Sequence, residues 1–266
     1  MTTGALIFAF NNSDIDYVAM ARWSARNIHR HLKIPVSIVT DAVVPLGTEF
    51  DSVIQTAAQL GGTRYFDDIG HTVPWYNAGR ANAYALSPYD QTLVLDADYV
   101  VASSALGKVL AAPCDFMCHR KAYDLVTTKF LSELNQFGEY NMPMWWATVM
   151  MFRKSDTAQY IFDCMQMVQD NWQHYQSLYG IQKSTYRNDF ALSIALGIVS
   201  GQTNKVDEIP WPLATVVPRV TVTQLNPDYY KLEYQDSNSQ NRYMAFMELD
   251  FHAMGKQHLG AIVAAN

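Results

Sequence analysis

Apolar positions in the first hundred residues come in short blocks separated by amphipathic stretches. "ALIFAF" (residues 5–10) is an unbroken apolar run of strand length. Asp14 to Leu32 follows, with Ile15, Val18, Ala19, Trp23 and Ile28 near helical spacing and Ser13 or Asp14 placed to cap its start. "VSIVT" (36–40) and "SVIQT" (52–56) predict two more strands. Asn77 to Leu86, "NAGRANAYAL", predicts a helix stopped by "SPYD", and "TLVLDADYVV" (92–101) a strand directly after it. Ser103 or Ser104 caps a helix through Leu110 that Pro113 ends, and "DFMCH" (115–119) is a further strand. Strands alternating with helices predict an α/β protein whose mostly parallel central sheet is flanked by helices.

The pattern is less regular from about Tyr140. A strand is expected near "ATVMMF" (147–152), a helix from Ser155 to about Tyr175, and another in "YRNDFALSIALGIVSG" (186–201). After Pro210, β-branched stretches such as "TVVPRVTVT" are broken by prolines and "NPD", which predicts a smaller, mixed, partly antiparallel region. With no internal repeat and no Pro/Gly/Ser linker, one domain over residues 1–266 is expected.

Composition narrows the class. Hydrophobic residues are 49% and charged ones 17%, the balance of a globular chain. Nineteen Lys and Arg against 25 Asp and Glu, without a long basic run, give a weak field for steering a polyanion. Three cysteines, Cys114, Cys118 and Cys164, suit reduced thiols and a cytoplasmic setting rather than a disulfide framework. Cys114, Cys118 and His119 imitate a zinc corner that no second ligand cluster completes, so buried strand cysteines are expected. The N-terminal "MTTGALIFAFNNSD" has no basic start and too short an apolar stretch to span a membrane, so neither export signal nor anchor is expected.

The chemistry lies where "TLVLDADYVV" is cut by Asp96 and Asp98. A buried carboxylate without a partner is costly, so acids abutting an apolar strand belong at its solvent end or hold something positive. The carboxyl ends of parallel strands are also where open α/β sheets bind ligands. Two carboxylates one residue apart there reach a divalent cation, Mg or Mn by preference for oxygen. The bland alternative is one acid capping the next helix and the other solvated. In "MELDFHAMGKQHL" near the C-terminus, His252 offers an imidazole as a third ligand, which favours Mn over Mg. Gly255 allows close backbone approach, and Lys256 offers a point charge for phosphate.

On these residues the chain resembles the GT-A glycosyltransferases, most closely the retaining family that includes glycogenin and bacterial galactosyltransferases. "RANAYALSPYDQTLVLDADYVV" is similar to that family's donor segment in its order of Arg80, Tyr89, Asp90, Asp96 and Asp98. His252, Gly255 and Lys256 match its late His-x-x-Gly motif and following lysine, the lysine standing earlier than usual. The chain departs from the family at Trp146, Ala147 and Thr148, where Asn-Ser-Gly is common, and at Asn188 and Asp189, where Asp-Gln is common.

The resemblance implies a GT-A-type fold with a nucleotide-sugar-binding half over about 1–120. An acceptor-side half with the last metal ligand would follow over about 121–266. It implies sugar transfer, with retention, from a nucleotide diphosphate donor, a UDP-hexose by expectation, to a hydroxyl acceptor. Asp96, Asp98 and His252 would hold the metal, Asp96 and Ala97 would approach the nucleotide, and Arg80, Gly255 and Lys256 would face the diphosphate. Phe10, Asn11, Asn12, Tyr17 and Asp41 would flank the base. Asn188 and Asp189 are candidates for the reacting centre, Asp189 having an equal alternative as an acid favoured by a helix start. Trp145, Trp146 and Thr148 would face sugar or acceptor, with core packing as the competing use of at least one tryptophan. Glycan, lipid headgroup, protein side chain and hydroxymethylated base all remain open as acceptors. Two rival readings are a haloacid-dehalogenase-type phosphatase with Asp96 as nucleophile, and a nucleotide-sugar-binding module without turnover.

Overall fold

A computed structural model describes residues 1–43, 49–66, 70–182, 185–203 and 205–264. Strand β1 (Thr3–Phe8), helix α1 (Tyr17–Leu32), β2 (Val36–Thr40) and β3 (Ser52–Gln55) come first, then a hairpin of β4 (Gly62–Phe66) and β5 (His71–Trp75). A 3-10 turn over Gly79–Asn82 runs into α2 (Ala83–Leu86), β6 (Gln91–Asp96), β7 (Tyr99–Val100), α3 (Leu106–Ala111), β8 (Phe116–His119) and β9 (Ala122–Asp124). A short ladder of β10 (Gln136–Phe137) and β11 (Met142–Pro143) precedes β12 (Trp146–Arg153), α4 (Asp156–Asp170), α5 (Trp172–Leu178) and α6 (Asn188–Val199). Last come β13 (Leu213–Val216), the meander β14 (Thr221–Asn226), β15 (Tyr229–Gln235) and β16 (Asn241–Met247), then β17 (Phe251–Ala253) and α7 (Lys256–Ala264).

The central sheet has the order β3-β2-β1-β6-β12-β8, with only β12 antiparallel to its neighbours. This is the α/β architecture with a mostly parallel sheet that the periodicity predicts. β2 is wholly buried and β1 and β6 are buried but for one end residue each, because helices cover both faces. Alternation divides the core. Ala5, Ile7, Leu93 and Leu95 face the α1 side, whereas Leu6, Phe8, Val94 and Phe152 pack with residues of α4 and α6. A second sheet, β7-β17-β13-β9, mixes parallel and antiparallel pairs, and the meander stands apart as three antiparallel strands.

Local chemistry moved several predicted boundaries. Helix α1 starts at Tyr17 and is capped by Asp16, whose Oδ1 accepts from the Ala19 amide at 2.9 Å, not by Ser13 or Asp14. The Asn12 side chain holds the Asp14 and Ile15 amides in a turn before it. The helix expected over 155–175 breaks at Asn171, whose side-chain amide donates back to the Met167 carbonyl at 2.9 Å and ends α4, so α5 begins afresh. Only Cys118 is a buried strand cysteine; Cys164 is buried on α4, and Cys114 is half-buried just before β8. Among the described residues no helix is long and apolar enough to cross a membrane.

Candidate active site and metal centre

Parallel register sets the site. Phe8 pairs with Asp96, so β1 and β6 end side by side and the Asp96 carboxylate emerges beside an aromatic wall. Ala97 and Asp98 form the turn into β7, and there the second sheet takes over: Tyr99 is in register with His252 of β17, and the Ala253 amide donates to the Asp98 carbonyl at 3.0 Å. Residues more than 150 positions apart are thereby clasped through backbone. One ligand atom from each of Asp96, Asp98 and His252 lies within 4.8 Å of the others.

The donor set suits a divalent cation. Asp98 and His252 are buried, with Asp98 Oδ2 3.6 Å from His252 Nε2, and His252 Nδ1 is a buried nitrogen without a hydrogen-bond partner. Two carboxylates and one imidazole lone pair offer the oxygen and nitrogen ligands that Mn accepts. Two cations of the chain already press on the acids. The Lys256 ammonium, at the first turn of α7, contacts Asp98 Oδ2, and the Arg80 guanidinium contacts Asp96 Oδ1. Burial pushes the Asp96 carboxyl up, but Arg80, His252 and Lys256 outweigh it and hold the group below the ordinary carboxylate range. Burial pushes the His252 imidazole down, which keeps its lone pair available for a metal.

Arg80 is only 1% exposed and ties the site to its far wall. Its second nitrogen donates to the Ala147 carbonyl at 2.8 Å, the Ala147 amide donates to Asp189 Oδ1 at 3.0 Å, and Asp189 Oδ2 pairs with Arg187 at 3.0 Å. The bulge in β12 between Trp146 and Met150 frees that Ala147 peptide to be gripped from both sides. Asp189 occupies the first turn of α6, favourable for an acid, and borders the cleft. Asn188 donates to the Asn77 carbonyl at 2.8 Å while its buried Oδ1 has no partner.

These groups line one cleft of about 630 Å³ at the carboxyl ends of β1 and β6. Of the residues named from sequence, Phe10, Tyr17, Arg80, Asp96, Ala97, Asp98, Trp146, Thr148, Asn188, Asp189, His252 and Lys256 border it. Five others do not. Asn11 and Asn12 spend their side chains on the amides of Val18 and of Asp14 and Ile15, shaping the turn into α1. Asp41 is exposed beyond β2, Trp145 is buried in the α4–α6 core with its amide bonded to Ser193, and Gly255 is buried outside the set of lining residues. Tyr89 and Asp90 are structural. The Tyr89 ring lies where any Cβ on Gly4 would come within 2.3 Å, and Asp90 accepts from the Thr2 amide at 2.7 Å.

The β4–β5 hairpin, absent from the elements that the periodicity predicts, supplies another wall through Arg64, Tyr65, Phe66 and Trp75, and Arg187 joins from the start of α6. The alternation in "GTRYF" was the available clue.

The sequence matches no protein-family model and no curated protein. Among the solved structures to which the chain is similar is the glycosyltransferase GlyE of Streptococcus pneumoniae TIGR4, at 10% identity and a TM-score of 0.44 over 79% of this chain and 46% of that one. The galactosyltransferase LgtC in complex with donor and acceptor sugar analogs gives 12% and 0.43 over 72% and 70%. TarS of S. aureus gives 11% and 0.44 over 82% and 37%. The chain thus spans about half the length of GlyE. Identities and scores at this level leave the reading of the cleft to its own geometry.

Proposed function

We propose that the chain is a metal-dependent GT-A-type glycosyltransferase that moves a hexose from a nucleotide diphosphate donor, a UDP-sugar, to a hydroxyl acceptor with retention. The observation that carries this reading is the convergence of Asp96, Asp98 and His252 within 4.8 Å beside Arg80 and Lys256, on the floor of one cleft. Neither half suffices, since the acids come from the segment before residue 120 and the imidazole from the segment after 121, so we treat both as one catalytic unit.

Asp96, Asp98 and His252 would hold Mn or Mg, and a dication bound there supplies positive charge to a diphosphate. Lys256 and Arg80 add cationic charge on either side of it. Phe10 and Tyr17 offer aromatic surface at the β1 end for the base, and Trp146 and Thr148 offer surface for sugar or acceptor. Asp189, fixed by Ala147 and Arg187, is the acid that would orient the sugar or acceptor hydroxyl at the reacting centre, with Asn188 beside it. A phosphatase reading asks Asp96 to attack phosphorus, which fits poorly with an oxygen already clamped by a buried guanidinium.

The test is incubation with isotope-labelled UDP-hexose and Mn without acceptor. Slow release of free sugar, abolished in Asp98→Asn, is expected, and NMR of a glycosylated product would read the anomeric configuration. Tight donor binding with no turnover would make the protein a binding module. Release of phosphate from simple phosphomonoesters through a phosphoaspartate would overturn the reading.

A further inference from the structure

Four cationic side chains border the cleft among the described residues, Arg64, Arg80, Arg187 and Lys256, facing the three carboxylates Asp96, Asp98 and Asp189. Three of the four already hold a carboxylate: Arg80 with Asp96, Lys256 with Asp98 and Arg187 with Asp189. Arg64 has no such partner among the described residues. Its guanidinium lies 3.6 Å over the Trp75 ring, a stacking contact that fixes its place, and Asp189 and Asp96 favour its charge without pairing with it. Burial, and then the like charge of Arg187, push its pKa down to about 10, so the group is still cationic at neutral pH and is held there at an electrostatic cost.

Charge balance says what that cost is for. With His252 neutral as a ligand, the described side chains leave the cleft one positive charge in excess, and a dication raises the excess to three. A nucleotide diphosphate sugar brings two negative charges. When its anomeric C–O bond breaks, the electron pair stays on the terminal phosphate oxygen, so the departing nucleoside diphosphate carries three. The anomeric carbon bonds to the acceptor oxygen and the hydroxyl proton passes to water, which closes the balance. Counted over the described side chains alone, the lining is one positive charge in excess against the donor and neutral against the leaving group, the condition under which a positive group stabilises the transition state more than the ground state.

We propose that Arg64 is a catalytic residue that faces the departing diphosphate and compensates the negative charge that appears on it as the sugar leaves. The inference rests on the sugar-transfer reading and adds to it a residue from the β4–β5 hairpin.

The experiment compares native protein with Arg64→Gln and Arg64→Lys in saturating Mn, by calorimetry. The ligands are whichever pair the native protein binds, UDP with UDP-glucose or GDP with GDP-mannose. In Arg64→Gln the preference for free diphosphate over sugar donor should fall about tenfold, the weight of one charge-assisted contact, with donor affinity changed less than about threefold. Arg64→Lys should restore part of the preference. In turnover, kcat should fall on the order of a hundredfold with little change in donor KM. An equal loss for both ligands, or an unchanged ratio, overturns the proposal. So does a selective loss of UDP-glucuronate with the UDP to UDP-glucose ratio intact, which would assign Arg64 to an acidic sugar. A native protein that binds neither pair with Mn overturns the sugar-transfer reading itself.

Discussion

Lys256 occupies one of the oxygens that a metal would take, so replacing it with methionine should move metal and nucleotide affinity in opposite directions. Its ammonium contacts Asp98 Oδ2 with the two side chains only 14% and 5% exposed, a nearly buried pair. A dication binding at Asp98 must first displace that ammonium. Opposite unit charges at 4 Å attract by about 4 kcal/mol at an effective dielectric of 20, which sets a ceiling on the cost. The released ammonium recovers hydration and meets the diphosphate, so a net cost of about 1.4 kcal/mol is a reasonable expectation, equivalent to about tenfold in affinity. Lys256→Met should therefore bind Mn alone about tenfold more tightly, and UDP in saturating Mn about tenfold more weakly because a phosphate contact is lost. The electron paramagnetic resonance signal of free Mn reads the first quantity and calorimetry the second. Unchanged or weaker Mn binding in a folded Lys256→Met would refute the competition, and unchanged UDP affinity would refute the phosphate role.

Three further outcomes follow from groups away from the metal. Arg80→Met should lower stability by about 3 kcal/mol in urea unfolding, since it leaves Asp96 without its cation and the Ala147 carbonyl without its donor; a loss below about 1 kcal/mol would mean the network is not under tension. Gly4→Ala should cost about 1–3 kcal/mol, because the new methyl would meet the Tyr89 ring at 2.3 Å. For pH, burial pushes the Asp250 carboxyl up to about 6 and the His119 imidazole down to about 4. The raised acid binds its proton more readily in the folded state, so its effect on stability weakens folding as pH rises from about 4 to 6. The depressed histidine binds its proton more readily in the unfolded state, so its effect strengthens folding as pH rises from about 4 to 6.5. The two oppose each other, and Asp250→Asn should remove the opposing effect: metal-free protein should then lose up to about 1.4 kcal/mol more per pH unit than the native chain on acidification through that window. A variant less sensitive to acid than the native chain would reverse the assignment.

The sequence was most informative where one constraint dominated. β2 is apolar throughout because both its faces are covered, and its range came out as predicted. Asp96 and Asp98 stood out because acids at the end of a buried strand demand a reason. His252 was harder to place, for its partner is the backbone of β7, and a register such as Tyr99 with His252 leaves no trace in spacing. The β4–β5 hairpin is hard to read from the sequence because only β4 alternates, over five residues, and β5 opens on two exposed positions and contains Pro74, a residue that argues against a strand. Asn11 and Asn12 do not flank a base, because polar side chains after a strand read equally as ligand contacts or as turn makers, and here they make the turn.

The clasp between β7 and β17 also fixes when the site is born. As the chain is synthesised, the strands carrying Asp96 and Asp98 emerge early and can fold with α1, but the imidazole follows more than 150 residues later. Until β17 docks, the nascent protein presents the two acids with neither His252 nor Lys256, so a metal that needs all three ligands would be captured only once the last strand is in place.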